Sequence, residues 1–551
     1  MTSNYAKWYH PYTPDERYQK RAAYFCMEFA IHQSLKIYSG GLGYLAGSHL
    51  RSAFELKQNM IAIGMLWSYG YYDQTRDENG LMKPAFTRKD YAFLEDTGIK
   101  VTISVNHHPV HVKVYCLPSH VFNTAPLYLL STDIPENDAL SRTITQRLYD
   151  GNTLTRMAQM IVLGVGGAKV IEALGGTDIY HMNESHALPL LFYMYEKYGS
   201  VEEVKKRYVF TTHTPEKAGN EEHNIHDLNK LSFFGNVPLE EAKRITGTEG
   251  DMFGHTPAAL RLAKISNGVS QLHAVVSKEM WSSYEGISDI IGITNAQNFQ
   301  YWADKDLYAA MEENNDGLLL HLKRQKKKEL FKVIADQCGK LFDENALTIV
   351  WARRFAGYKR ADLLLTDLDR LDKFLNNIDK PVQLVFAGKP YPLDQAAISI
   401  FNLLIEYSRD KKNVAVVLGY ELDLSRKLKD AGDVWLNTPR MTREASGTSG
   451  MTAAMNGSIS VSLPDGWIPE FAKHGVNCFI SDATDHHLPI DKQDEIDYEN
   501  IMSILENEVV TTYYDNPSQW AALMKNAMRD VTPAFESGRM AHEYYERMYN
   551  F

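Results

Sequence analysis

Residues 346–377 read ALTIVWARRFAGYKRADLLLTDLDRLDKFLNN. ALTIVWA (346–352) is an apolar, β-branched run of strand length. A basic loop follows, and then RADLLLTDLDRLDKFLNN (360–377), where Leu364, Leu368, Leu371 and Leu375 recur at helical spacing. Strand, loop and helix in that order make a βα unit, and the pattern repeats downstream. VQLVFAG (382–388), a helix through 393–409, NVAVVLGY (413–420), a short helix, DVWLN (433–437) and SISVSL (458–463) follow in turn. This rhythm predicts right-handed crossovers and a parallel sheet, hence an α/β fold.

Upstream, AAYFCMEFA, MIAIGMLW, VTISV, VHVKVYCL, LYLLST, DIYHMN and RYVFTTH read as strands, and 139–174 reads as one long helix. At 551 residues the chain exceeds what one core supports, so two domains of roughly 200–300 residues are expected. The linker is placed near 297–310. The reading is a first domain over 1–300, a second over 301–525, and a terminal helix over 526–551 that packs back on the first. Both domains are expected to be α/β and to face a cleft, with ligands beyond the carboxyl ends of the strands.

A net charge of −11 argues against a nucleic-acid binder or a polybasic membrane anchor. Four dispersed cysteines without a CxxC pair form no disulfide framework and fit a reducing compartment. The polar N-terminus and the lack of a run of about 20 apolar residues predict a cytoplasmic protein with no membrane or nucleic-acid partner. Without HExxH or paired-cysteine spacing no metal site is expected. Nucleophile-elbow and Walker patterns are absent as well.

Several loops after strands hold candidate chemistry. In RRFAGYKR (353–360), Arg354 and Lys359 can converge on an anion, against the bland alternative of a solvated basic turn. EASGTSGM (444–451) offers small residues at a helix start, hydroxyls on Thr448 and Ser449, and Glu444 for sugar hydroxyls. Its bland alternative is an N-capping turn using Ser446, Thr448 or Ser449. SGGLGYLAG (39–47) is a second glycine turn. MNESHALP (182–189) and TTHTPEKAGN (211–220) put Glu184, His186 and His213 after strands, where single histidines are more often structural.

Taken in order, YFCMEFAIHQSLKIYSGGLGYLAGSHL, YHMNESHALPLL, VFTTHTPEKAGN, LRLAKISNGVSQLHAVVSKEMW, WARRFAGYKRA, DVWLNTPRMTREASGTSGM and LPDGW resemble the α-glucan phosphorylases, the shorter bacterial branch above all. The resemblance spans about residues 20 to 480. It implies a glycosyltransferase-B architecture of two Rossmann-like domains with the active site between them, and retention of anomeric configuration. By the same resemblance Gly40, Gly41 and Leu42 match the loop near the donor phosphate, and Arg354 and Lys359 the basic pair at that phosphate. Glu444, Ala445, Ser446 and Gly447 match positions holding sugar hydroxyls. His213 matches a histidine whose backbone carbonyl faces the anomeric centre, and Asn295 an asparagine at the sugar. Glu184 and His186 match a pair near the glucosyl pocket.

One departure bears on mechanism. Phosphorylases follow this methionine with a lysine that forms a Schiff base with pyridoxal phosphate; here GTSGMT puts Thr452 there, and threonine has no amine. No covalent cofactor is expected, while non-covalent pyridoxal phosphate stays open. Glu444 and Thr452 are separated by seven residues, the spacing of two glutamates in related nucleotide-sugar transferases. The expectation is therefore a retaining hexosyltransferase using a sugar nucleotide and an α-glucan-like acceptor, with Arg354, Lys359, Gly447, Thr448, Ser449 and Thr452 lining the donor phosphates. His213, Arg354, Lys359 and Glu444 form its catalytic set. An α-glucan phosphorylase, in which glucan and phosphate give glucose 1-phosphate, ranks second, and a non-catalytic glucan binder third. A homodimer, the state of many members, is compatible with each. Ser39, Ser48 and Ala296 are smaller departures from the family pattern.

Overall fold

The structure, a computed structural model, describes residues 7–216 and 219–551; Lys217 and Ala218 of the TTHTPEKAGN segment and residues 1–6 lie outside the described residues. The chain divides into two compact units. Unit 1 comprises Met1–Tyr72, Phe86–Asn295 and Ser537–Phe551, and unit 2 comprises Asp73–Ala85 and Ala296–Glu536.

Unit 2 holds a six-stranded parallel sheet in the order Val414–Val417, Val382–Ala387, Leu347–Ala352, Val434–Asn437, Ile459–Ser462, Cys478–Ile480. Numbered within the unit this is the 3-2-1-4-5-6 order of a dinucleotide-binding Rossmann sheet. The register pairs Leu347 with Val382 on one side and Ile349 with Val434 on the other. Both faces are covered, which is why these strands read as continuous apolar runs with no alternation. Val350, Ala352, Val385, Ala387, Val417 and Trp435 meet Leu330 and Ile334 of the helix Asp316–Cys338 in one core. The hairpin Asp73–Arg76 and Met82–Ala85 joins this unit through Gln74 Nε2 to the Gly388 carbonyl (2.8 Å) and Arg76 to the Val416 carbonyl (3.0 Å).

Unit 1 holds a nine-stranded sheet in the order Ile290–Gly292, Ser266–Gly268, Tyr208–Thr211, Ile179–Asn183, Ala22–Phe25, Met60–Met65, Leu127–Ser131, His108–Leu117, Glu95–Val105. The first seven strands run parallel and the last two antiparallel. Its C-terminal helical segment is tied in by Ser52 Oγ to Ser537 Oγ (2.6 Å), Gln58 Nε2 to the Ala541 carbonyl (2.9 Å) and His181 Nδ1 to the Tyr549 hydroxyl (2.6 Å).

Three expected helices are broken, two of them by caps. The segment 139–174 splits into Ala139–Thr143 and a rod from Thr153 to Ala173, because Asn152 accepts the Thr155 N–H and restarts the helix. That rod is long and apolar enough to cross a membrane, but 72% of its apolar window is buried inside the unit. Asp367 likewise restarts the helix of 360–377 by accepting the Arg370 N–H, and Leu368 just behind it is exposed instead of packed. The terminal helix begins earlier than expected, at Pro517, and breaks after Phe535.

Candidate functional site

In a Rossmann sheet the order reverses beside the first strand, and loops leaving there diverge to open a crevice. In unit 2 the reversal lies between Leu347–Ala352 and Val434–Asn437. The loop after the first strand is RRFAGYKR, and the loop after the second leads to EASGTSGM.

The two loops meet at Glu444. Lys359 Nζ lies 2.8 Å from Glu444 Oε2, and an Arg353 guanidinium nitrogen 3.2 Å from the same oxygen, with all three side chains less than a tenth exposed. Burial pushes the Lys359 ammonium down to about 7; the Arg353 cation pushes the same way and the Glu444 carboxylate opposes it. Burial works to raise Glu444, but Lys359 and Arg353 outweigh it and hold the carboxyl below its ordinary range. Arg353 Nε and a second guanidinium nitrogen are buried without a protein partner. Two cations against one carboxylate, with guanidinium donors to spare, make an anion-binding arrangement.

Arg353, which the sequence reading passed over, contacts Glu444, whereas Arg354 is exposed, and its charge acts on Lys359 and Glu444 from there. Asp465 of LPDGW likewise stands outside the sequence-predicted site. Fully buried, it accepts the backbone N–H groups of Glu444 (2.9 Å) and Arg443 (3.0 Å) on Oδ2, and burial pushes its carboxyl up to about 7. It holds the Glu444 segment by the backbone.

The glycine loop opens the six-residue helix Ser449–Ala454. Thr448 makes no side-chain cap bond, and the buried Ser446 hydroxyl has no protein partner. The capping alternative therefore fails, and with so few turns the helix adds little dipole. Ala445 is buried, and Gly447 (φ +89°) sits against Glu444 and Trp467. Thr452 is fully buried. Its hydroxyl donates to the Ser449 carbonyl at 3.0 Å, so its proton is spent on the helix, and this geometry does not supply the ribose donor expected of it. With no amine, position 452 does not fit an imine-linked cofactor.

Unit 1 repeats the logic: its order reverses between Ala22–Phe25 and Ile179–Asn183. Behind the first strand, buried Glu28 accepts the N–H groups of Ser39 (2.6 Å) and Gly40 (3.0 Å) and the Tyr149 hydroxyl (2.8 Å). Glu28 stands outside the sequence-predicted site. It uses the Gly40 amide that was expected to face phosphate, leaving Gly41 and Leu42 at the start of the helix Gly41–Glu55. Behind the second strand Glu184 adopts φ +65°, a strained conformation for a buried non-glycine residue. Glu184 Oε1 accepts the His213 backbone N–H and Oε2 that of Ser185. His213 Nε2 meets Asn183 Oδ1 at 2.7 Å, and Asn183 Nδ2 reaches Cys26 Sγ at 3.4 Å, so three strand ends are linked. Tyr149 lies beside His186 with ring centroids 5.8 Å apart. Asn295 is buried, its N–H donating to the Val269 carbonyl and its Oδ1 without a protein partner.

Burial lowers both His213 and His186 to about 3, so both imidazoles are neutral near pH 7. The folded state then binds fewer protons than the unfolded chain between about 3 and 6.5, and stability rises with pH across that window. Acidification from pH 6.5 is expected to lower the urea midpoint of wild type more steeply than that of His186→Gln; parallel curves would refute the assignment.

A family model for carbohydrate phosphorylases matches residues 258–478. An uncharacterised protein of Methanocaldococcus jannaschii is 46% identical, the match covering 96% of this chain and 100% of the relative. The maltodextrin phosphorylase of Thermococcus litoralis is 33% identical over 100% of this chain and 72% of its own length. The glycogen phosphorylase of Aquifex aeolicus is 31% identical over 97% of this chain and 87% of its own. With these relatives and its two Rossmann-like sheets, parallel in unit 2 and largely parallel in unit 1, the chain belongs to the carbohydrate phosphorylase family and has the glycosyltransferase-B fold.

Proposed function

We propose that this protein is a retaining hexosyltransferase acting on an α-glucan, without covalently held pyridoxal phosphate and with a sugar nucleotide as donor. The observation that carries the reading is the buried Arg353–Lys359–Glu444 group at the switch point of unit 2, with guanidinium donors left over. Such a group stabilises a phosphate-class leaving group as charge develops on it. Lys359 acts as a point charge, Arg353 as a planar donor, and Glu444 keeps both cations in place while accepting from a sugar hydroxyl. Glu184, His186, His213 and Asn295 are assigned to the glucosyl unit. A donor diphosphate brings the second phosphate that a chain lacking a cofactor lysine does not retain by an imine. The leaving oxygen takes the acceptor proton on the same face, which preserves configuration.

Phosphorolysis is the second reading, favoured by the names of the Thermococcus and Aquifex relatives. The purified protein is tested with maltooligosaccharides against glucose 1-phosphate and a panel of sugar nucleotides. Chain extension with release of nucleoside diphosphate is the expected result. Release of inorganic phosphate from glucose 1-phosphate instead establishes phosphorolysis. Silence with every donor leaves a glucan-binding homologue.

A further inference from the structure

Next to the turn that carries His186, Glu221, His223 and His255 of unit 1 come together around a short hairpin. His223 lies in Glu222–Asn224, which pairs antiparallel with Met252–Gly254, and His255 opens the helix that follows the second strand directly. One ligand atom from each of the three residues lies within 4.8 Å of the other two. His223 Nδ1 and His255 Nε2 are 2.9 Å apart.

Their surroundings leave polar atoms unpaired. His255 is fully buried, with the rings of Phe233 and Phe253 at 5.5 and 5.4 Å, and its Nδ1 has no protein partner. Glu221 pairs one carboxylate oxygen with Arg156, while the other is buried and unpartnered. A hydrogen bond between the two imidazoles satisfies one nitrogen of each ring and leaves both of those atoms unsatisfied. Buried groups in that state are destabilising, although His255 Nδ1 lies across the ring from the Nε2 that faces His223 and is not an atom that a ligand between the two rings would satisfy.

We propose that Glu221, His223 and His255 bind a divalent transition-metal cation of zinc's class, with a fourth position for water. Two imidazoles and one carboxylate are a borderline donor set that suits zinc better than magnesium or calcium. Tetrahedral bonds of about 2.0–2.1 Å set ligand atoms about 3.4 Å apart, a spacing reached by small side-chain adjustments. Arg156 opposes the cation by its charge, but its side chain is 35% exposed and has solvent to turn into.

The cation joins the hairpin to the helix His255–Leu262. It also steadies the approach to His213, because Thr256 Oγ1 donates to Asn220 Oδ1 (2.6 Å) and Asn220 Nδ2 to the Glu216 carbonyl (2.7 Å). Cation binding here is independent of the donor the enzyme uses.

The test uses the full chain stripped with a chelator, titrated with Zn²⁺ by calorimetry and with Co²⁺ by absorption spectroscopy. One tight site per chain is expected, with a tetrahedral cobalt spectrum. His223→Ala, at a half-buried position of an otherwise exposed strand, should weaken binding by more than about 100-fold, since loss of a mere outer-sphere partner costs 10–100-fold. His255→Ala should do the same, and Arg156→Leu should tighten binding. The double variant His486→Ala/His487→Ala removes the other His-containing group of ligand spacing among the described residues and should leave binding unchanged. Absence of binding, its survival in His223→Ala, or its loss in the 486/487 variant would each overturn the proposal.

Discussion

Replacing Glu444 with alanine is expected to cost about 3–5 kcal/mol of stability and to abolish binding of the anionic donor, because it strands two buried cations. Lys359 and Arg353 both lean on one oxygen of that carboxylate. Lys359 sits at about 7 only because Glu444 opposes burial and Arg353; without Glu444 it falls further, and at pH 7 the amine becomes mostly neutral. The site then loses its anchor together with the positive charge that Lys359 still carries at pH 7. Glu444→Gln keeps the volume and some hydrogen bonding, so it should unfold less readily than the alanine variant while binding the donor as poorly. Denaturant unfolding and calorimetric titration with a nucleoside diphosphate separate the two effects. An alanine variant within about 0.5 kcal/mol of wild type would remove the buried charge group from the argument.

Lys359 also sets a pH signature in the wild type. Its folded pKa of about 7 lies below the 10.5 of a free lysine, so the unfolded chain binds more protons between those values. The contribution of this group to stability therefore rises with pH across that window, while phosphate affinity falls as the ammonium is lost. Opposite slopes for the two measurements are expected; parallel slopes would assign the titration to another group.

Gly466→Ala is expected to cost about 3 kcal/mol and to weaken donor binding, although residue 466 touches no donor group. Gly466 has φ +64°, and an added Cβ would lie 2.2 Å from the Ser446 carbonyl oxygen and 3.1 Å from Glu444 Cγ. The Trp467 N–H already bonds that carbonyl at 2.9 Å, so the strand of backbone carrying Ser446 has no room to yield without moving Glu444. Gly475 is the control. It shares the left-handed conformation at φ +70° but meets nothing within 4 Å. Gly475→Ala should cost about 1–2 kcal/mol and leave binding intact. Equal effects of the two substitutions would mean that conformation alone, and not displacement of Glu444, is at work.

The long buried strands of unit 2 were legible because burial on both faces writes an uninterrupted apolar run. Ser266–Gly268, Ile290–Gly292 and Cys478–Ile480 were not read as strands: each is three residues long, too short for any period to register. Helix breaks at Asn152 and Asp367 depend on a side chain turning back onto a backbone N–H, and hydrophobic spacing across the break looks continuous. At the site, loops following strands were identifiable from order alone. The choice between neighbouring Arg353 and Arg354 was not, since adjacent side chains leaving a strand point to opposite sides and only the backbone path decides which meets Glu444.

Residue type and order by themselves determined the α/β class, the family and the missing amine at position 452, because periodicity, motif spacing and functional groups are properties of the chain alone. Tertiary structure decided what each group is paired with. It put Asp465 beneath Glu444, spent the Gly40 amide on Glu28 and the Thr452 hydroxyl on Ser449, and gathered Glu221, His223 and His255 into ligand range. Hydrogen bonds and charge interactions act over a few ångströms of space, and distance along the chain carries no measure of that.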